Sequence, residues 1–176
     1  IPTHQAIMDI VGLPGLEIAV SNTEVLLVYD RNLNELWRAG IGDYTGASGP
    51  VGFDFEADGK TNVTYSDETR VWVYNATGVK IYDAERGSVT MTETVAIADI
   101  DNDGHANVLV GSNEPQFGIS YGLDALTNTG VSWAHARGMW NQHAYVEDLV
   151  GELGALLPPS SQGALQGFRT ASAACE

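Results

Sequence analysis

The sequence predicts an all-β protein in which four-stranded antiparallel sheets follow one another along the chain as the blades of a β-propeller. A short pattern of alternating acidic residues recurs at a spacing of 45 positions. Self-similarity at a fixed period of roughly 20–50 residues is typical of repeat architectures. Between the copies lie short runs rich in Val, Thr and Tyr, separated by Gly and Asn, which indicate strands and tight turns.

The acidic pattern is clearest in the third copy, where Asp99, Asp101 and Asp103 alternate. Carboxylates at every second position repel one another unless a cation lies among them. Calcium takes about six to eight oxygen ligands, and a short loop supplies them from alternate side chains and one backbone carbonyl. The residues that the pattern assigns to this site are Asp99, Asp101, Asp103, the backbone carbonyl of His105, and Asn107.

An EF-hand is the rival interpretation of this loop. That motif needs a bidentate Glu at about position twelve and a helix on each side. Position twelve from Asp99 is Val110, and the loop is followed by a short β-branched run. Gly104 permits the sharp turn of a shorter loop. We therefore expect a nine-residue calcium loop that joins two strands, with a metal-free acidic hairpin as the alternative.

The second copy matches the third without a gap, and the first copy matches only in part. The residues assigned to the second site are Asp54, Glu56, Asp58, the backbone carbonyl of Lys60, and Asn62. In the first copy, which begins at Asp9, Val11 and Leu13 occupy the middle ligand positions and Glu17 the ninth. Apolar side chains do not coordinate calcium, so the first loop is expected to keep its turn without an ion. The sequence thus predicts two calcium sites.

Each repeat is expected to contain four strands. In the first they are Ala6–Ile10, Leu16–Ser21, Val25–Asp30 and Glu35–Arg38. In the second they are Val51–Phe55, Asn62–Ser66, Arg70–Asn75 and Val79–Tyr82. In the third they are Val95–Ile100, Asn107–Gly111, Phe117–Tyr121 and Gly130–His135. Turn residues lie between them, and an apolar run on both strand faces, as in V-W-V-Y, is expected of stacked sheets.

The domain prediction is one partial β-propeller over residues 1–176. Its repeats span about 1–48, 49–93 and 94–137, and a closing segment spans 138–176. In that segment, Trp140 to Tyr145 predicts a further strand or a closing piece, and Ala164–Ala173 predicts a short helix. Three blades do not close a ring, since propellers typically have about four to eight. The apolar residues expected to lie on the open faces are Ile7, Val28, Val131 and Trp133.

Composition excludes several classes of function. The net charge is −15, from 23 acidic and 8 basic residues, which argues against binding nucleic acid or an anionic membrane surface. No run reaches the roughly 18 apolar residues of a membrane helix. Calcium sites suit a secreted or cell-surface setting. The single cysteine, Cys175, is expected to be free or paired outside this chain.

The loop sequences D-I-D-N-D-G-H-A-N and D-F-E-A-D-G-K-T-N resemble the calcium loops of FG-GAP repeats, also called VCBS-type repeats, of integrin-α-like β-propellers. The resemblance covers about residues 1–137, and W-N-Q-H-A-Y in the tail is similar to the C-terminal end of bacterial secreted proteins with such repeats. It implies calcium at both loops, on one face of a ring of about seven blades. Glu56, Asn62 and Asn107 depart from the family pattern, which implies modest affinity.

The function expected from these features is calcium-dependent adhesion, or recognition of a glycan or a protein. One alternative is a structural subunit of an extracellular assembly. Another is an accessory or catalytic module of a polysaccharide-degrading enzyme. Neither an H-E-x-x-H zinc motif nor a G-x-S-x-G elbow is present in the sequence, so we expect a binding protein and not an enzyme. The expected partners are further blades, from the same precursor or from another chain.

Overall fold

Three antiparallel sheets follow one another in the computed structural model, which describes residues 4–88, 94–113, 121–140, 142, 145–151, 153–158, 167 and 169–171. Sheet 1 consists of β1 (Ala6–Met8), β2 (Glu17–Ser21), β3 (Val25–Tyr29) and β4 (Glu35–Gly40). Sheet 2 contains β5 (Val51–Phe53), β6 (Asn62–Ser66), β7 (Arg70–Tyr74) and β8 (Lys80–Glu85). Sheet 3 contains β9 (Ala96–Ala98), β10 (Asn107–Asn113) and β11 (Tyr121–Leu126). The prediction of an all-β chain of antiparallel sheets is confirmed.

Sheets 1 and 2 repeat each other in fine detail. The pairing register shifts between Val28 and Tyr29 in sheet 1 and between Val73 and Tyr74 in sheet 2, which are equivalent repeat positions. The turn that follows has a left-handed residue in each sheet, Leu33 at φ 65° and Gly78 at φ 78°. The sequence repeat therefore extends beyond the acidic loops to the irregularities of the strands.

The sheets stack face to face around two apolar cores. The first core joins sheets 1 and 2, with Met8 and Val28 on one side and Val63 and Tyr65 on the other. The second core joins sheets 2 and 3 in the same way. Every residue of the central strand β6 is buried, whereas β2 alternates between buried and half-buried positions. A sheet covered on both faces needs continuous burial, and one covered on a single face needs alternation.

The predicted fourth strand of the third repeat, Gly130–His135, is wrong. In this segment only His135 forms a bridge, to His105, and no strand pairs with the free edge of β11 among the described residues. Trp133 gives the physical reason. Its ring packs between sheets 2 and 3, with its centroid 4.6 Å from that of Phe55 and 4.9 Å from that of Tyr82. Burial of this indole draws the segment across the sheets and away from β11.

Part of the third repeat and part of the tail lie outside the described residues, including Cys175 and most of the predicted strand Phe117–Tyr121. Trp140 stacks on the buried Tyr145 at 4.6 Å, so the described ends of the predicted closing piece contact each other. A turn of 3-10 helix follows at Glu147–Leu149. The helix predicted for Ala164–Ala173 is wrong at its described C-terminal part, because Thr170–Ala171 forms strand β12.

Strand β12 pairs in parallel with β5 and adds a fifth strand to sheet 2. The backbone N–H of Gly52 donates to the carbonyl of Arg169 at 2.9 Å, and the N–H of Arg169 donates to the carbonyl of Tyr145 at 2.9 Å. Residues 170–171 of the tail therefore lie along the first strand of the middle sheet.

The four apolar residues expected on open faces divide evenly. Ile7 and Val131 are exposed, as predicted. Val28 and Trp133 are buried in the two cores, so the prediction is wrong for them. Both face a neighbouring sheet that is present in this chain.

Candidate metal centre

All three acidic loops share one backbone clasp. The side-chain oxygen of the ninth loop residue accepts a hydrogen bond from the backbone N–H of the second. In the second loop the N–H of Phe55 donates to Asn62 at 2.8 Å, and in the third loop the N–H of Ile100 donates to Asn107 at 3.0 Å. In the first loop the N–H of Ile10 donates to Glu17 at 2.7 Å. A polar side chain with a carbonyl or carboxylate oxygen is therefore needed at the ninth position to close the loop, whether or not an ion is bound.

The fourth residue of each loop adopts a left-handed backbone. These residues are Gly12 at φ 68°, Ala57 at φ 52° and Asn102 at φ 59°. Glycine accepts this conformation without steric cost and Asn tolerates it, whereas Ala is strained there. Since all three loops keep this kink, the first loop retains its turn although its middle positions are apolar.

The third loop brings its acidic side chains together. One carboxylate oxygen from each of Asp99, Asp101 and Asp103 lies within 4.8 Å of the others, and this is the only such group found among the described residues. Asp99 Oδ2 accepts the N–H of Gly104 at 3.0 Å. Asp99 Oδ1 is buried and has no hydrogen-bond partner. A buried carboxylate oxygen without a donor is costly, and a hard cation at this point would supply the missing interaction.

The second loop uses the same acidic positions differently. Both carboxylate oxygens of Asp54 accept backbone N–H groups, from Asp58 at 3.1 Å and from Gly59 at 2.8 Å. The ammonium of Lys60 lies 3.4 Å from Asp58, and the amide of Asn62 donates to Glu56 at 3.0 Å. Each acidic group thus already has a donor or a cation.

A crossing segment joins the two acidic loops. The N–H of Ala134 donates to the carbonyl of Phe55 at 2.9 Å, and the carbonyl of Ala134 accepts the N–H of Ala106 at 3.0 Å. The ring of His105 is turned away from the acidic cluster, with Nδ1 2.7 Å from the carbonyl of Trp133. His105 is thereby held so that only its backbone is available to the loop.

Sequence reasoning placed Asn62 and Asn107 among the metal ligands but missed their role in the clasp. Their equivalence with Glu17 in the first loop, which carries no ligand pattern, was the signal that could have revealed it. It also missed Lys60 as a competing cation for Asp58. A lysine two positions after an acidic ligand is visible in the sequence.

A cleft of about 390 Å³ lies beside the second loop. It is lined by Phe55, Glu56, Ala57, Ile81, Asn128, Val131, Ser132, Trp133 and Ala134. Its size falls in the range of small-molecule sites, and apolar walls with a few polar groups are typical of such sites. None of the described helical segments has the length and apolarity needed to cross a bilayer.

The fold and this site define an all-β protein of stacked antiparallel sheets with an acidic, metal-competent loop. No protein-family model matches the chain, and no curated protein matches it. Among solved structures, the chain is similar to the V. cholerae biofilm matrix protein Bap1, with a TM-score of 0.76 and 20% sequence identity. The match covers 90% of this chain and 28% of Bap1. At this identity the likeness shows the fold alone.

Proposed function

We propose that this chain is a calcium-binding module of an extracellular, secreted or cell-surface protein, which acts in adhesion or in the cohesion of a matrix. The observation that carries the calcium proposal is the cluster of Asp99, Asp101 and Asp103 with its unpartnered buried oxygen. The adhesive role is supported by the likeness to a protein described as a biofilm matrix protein. Acidic composition supports a role in which cations are gathered.

Calorimetric titration of the metal-free chain tests the calcium proposal. We expect calcium to bind in the micromolar to millimolar range and magnesium to bind much more weakly, because magnesium demands a tighter octahedral site. The variant Asp101→Asn keeps the size of the side chain but removes one charge, and it should weaken binding. The matched control is Asp30→Asn, a half-buried aspartate in a turn of sheet 1 that lies outside the acidic loops. If the titration shows no heat of binding with calcium at millimolar concentration, the proposal is wrong.

The finer architecture that we propose is an arc of β-propeller blades. In support, sheets 1 and 2 each run from their first to their last strand in chain order, and neighbouring sheets share a core. The first strands β1 and β5 lie near each other and near β12. Further blades, in the same polypeptide or from another chain, would cover the outer faces of the arc, where Ile7 lies exposed.

Sedimentation tests the arc. The chain of residues 1–176 is expected to self-associate, because uncovered sheet faces and free strand edges favour association. Ile7→Lys, on the outer face of sheet 1, should reduce this association without unfolding the chain. A strictly monomeric, cooperatively melting chain at high concentration would contradict the proposal.

We further propose that the module works by binding and not by catalysis, with a glycan as one ligand class. The cleft beside the second loop supports the proposal of a ligand site, since it offers an apolar wall together with the polar side chains of Glu56 and Asn128. Affinity for matrix polysaccharide, measured on immobilised glycan, should be lost in Ser132→Trp, which fills the cleft. The control is Thr77→Trp, in an exposed turn of sheet 2 that does not line the cleft. Equal glycan binding by both variants would exclude the cleft.

A further inference from the structure

Arg169 is a buried cation whose donors are largely unused. Its side chain is 1% exposed. Nη2 donates to the hydroxyl of Thr94 at 2.9 Å, while Nε and Nη1 are buried without a hydrogen-bond partner. Burial lowers the pKa of the guanidinium below its ordinary value, and no carboxylate contributes to that shift. An uncompensated buried charge of this kind is costly and calls for an acceptor.

The position of Arg169 is built by three parts of the fold. Thr94 precedes β9, and Gly49 precedes β5. Gly49 lies directly against the guanidinium, and a Cβ atom added there would clash with Nη1 of Arg169. The same Cβ atom would lie 2.8 Å from Cβ of His4, so His4, which precedes β1, is also close by. The guanidinium therefore lies where the chain enters the first strands of all three sheets, and Gly49 leaves the room for it.

The backbone holds Arg169 in place at a steric cost. Its φ is 59°, in the left-handed region that a long side chain rarely adopts. Its N–H and carbonyl are both bonded, to Tyr145 and Gly52 respectively. Strained residues of this kind persist where the surroundings fix them, and they cluster at ligand sites.

We propose that Arg169 forms an anion-binding site where the chain enters the first strands of the three sheets, and that its ligand is a carboxylate. Guanidinium N–H groups and carboxylate oxygens match in geometry and form strong, charge-assisted hydrogen bonds. The carboxylate comes either from a small molecule in solution or from an acidic side chain of another copy of the chain. In both cases the anion supplies the acceptors that the described residues do not.

Thermal melting of the full chain in increasing sodium formate tests this site. We expect Tm to rise by about 5–10 °C when formate reaches about 100 times its Kd, since a ligand of the folded state stabilises it by mass action. Arg169→Met, which replaces the cation by an apolar side chain, should lose this dependence. Arg38→Met is the matched control, because it removes the same charge from an exposed position. It should keep the dependence.

The second source of the carboxylate gives a different signature. If another copy supplies it, Tm should rise with protein concentration, sedimentation should show an oligomer that Arg169→Met loses, and formate should compete with assembly. Should Arg169→Met fail to melt cooperatively, Arg169→Gln, which is neutral but still polar, replaces it and should also lack the formate dependence.

Two outcomes would overturn the proposal. If Arg169→Met or Arg169→Gln is more stable than the natural chain at every formate and protein concentration, the buried cation has no anionic partner. The same conclusion follows if the formate dependence of Tm is equal in the natural chain and in the Arg169 variants.

Discussion

The second and third acidic loops have the same ligand pattern and the same clasp, yet their carboxylates contact different groups. In the third loop one oxygen of Asp99 is buried and unpartnered, and three acidic side chains approach one another. In the second loop Lys60 and Asn62 pair with the acidic residues. The difference teaches that alternating acids indicate a metal loop, whereas the neighbouring cations and amides decide how open that loop is to an ion.

The largest expected effect comes from Trp133, whose ring anchors the crossing segment over the third loop. Trp133→Ala should destabilise the chain by about 3–5 kcal/mol, as is usual for a buried Trp or Phe. It should also weaken calcium binding at the third loop, because Ala134 and the ring of His105 lose their support. Chemical denaturation in metal-free and calcium buffers measures both effects. Tyr44→Ala, at a residue 94% exposed, should change stability by less than about 0.5 kcal/mol.

The next effect separates the two loops directly. Asp99→Asn should weaken the tighter calcium site at least tenfold, about 1.4 kcal/mol, because it removes charge at the unpartnered oxygen. Asp54→Asn should leave that tighter site unchanged, because Asp54 belongs to the second loop. Both of its carboxylate oxygens already accept backbone N–H groups. Calorimetric titration of both variants checks the contrast. If both variants lose calcium binding equally, the two loops do not differ in the way described.

A gain of binding at the second loop would sharpen the comparison. Lys60→Met removes the ammonium that lies 3.4 Å from Asp58 and should increase calcium affinity of the second loop several-fold. Lys80→Met is the matched control, because Lys80 pairs with Asp83 on β8, away from both loops. A second binding step in the titration of Lys60→Met, without one in Lys80→Met, is the expected result. Identical titrations would show that Lys60 does not limit the second site.

A smaller effect concerns the left-handed kink. Ala57→Gly should stabilise the chain by about 1 kcal/mol, because an L residue with a Cβ pays roughly 1–2 kcal/mol for this conformation. Asn102→Gly should gain less, since Asn tolerates the left-handed region. The comparison of their denaturation midpoints checks this, and a larger gain at Asn102 would contradict it.

The smallest effect concerns an acid at the opposite end of sheet 2, in the turn between β6 and β7. Burial raises the pKa of Glu68 above its ordinary value. The folded state therefore holds this proton more tightly than the unfolded state, so stability should fall as pH rises through the interval between the two pKa values. Glu68→Gln should remove that part of the pH dependence of Tm. Glu24→Gln, at an exposed site, should retain it.

The sequence could predict the features that depend on neighbours along the chain. The acidic loops, the strands of the first two repeats and the turns between those strands all follow from local patterns. The segment Gly130–His135 was mispredicted because burial of Trp133 against Phe55 is a tertiary effect that outweighs strand propensity. Strand β12 has only two residues, and its partner β5 is far away in sequence, so no local pattern marks it.

The acidic residues themselves carry no signal in the sequence for the open state of the third loop. Asp99 and Asp54 occupy equivalent positions, and only their hydrogen bonds in the folded chain distinguish them. The side chain at the seventh loop position was the useful clue, since Lys60 can reach an acid and His105 is drawn away to Trp133.

The pairing of β12 with β5 has a consequence for the order in which the chain folds. Thr170 aligns with Gly52, more than 100 residues earlier, so the middle sheet gains strand β12 only after residues 170–171 have been made. Closing so long a loop costs entropy before the contact repays it, and contacts between distant residues slow folding. Sheet 1 and the hairpins of sheet 2 can therefore form during synthesis, while the edge of β5 stays unpaired until residues 170–171 have been made.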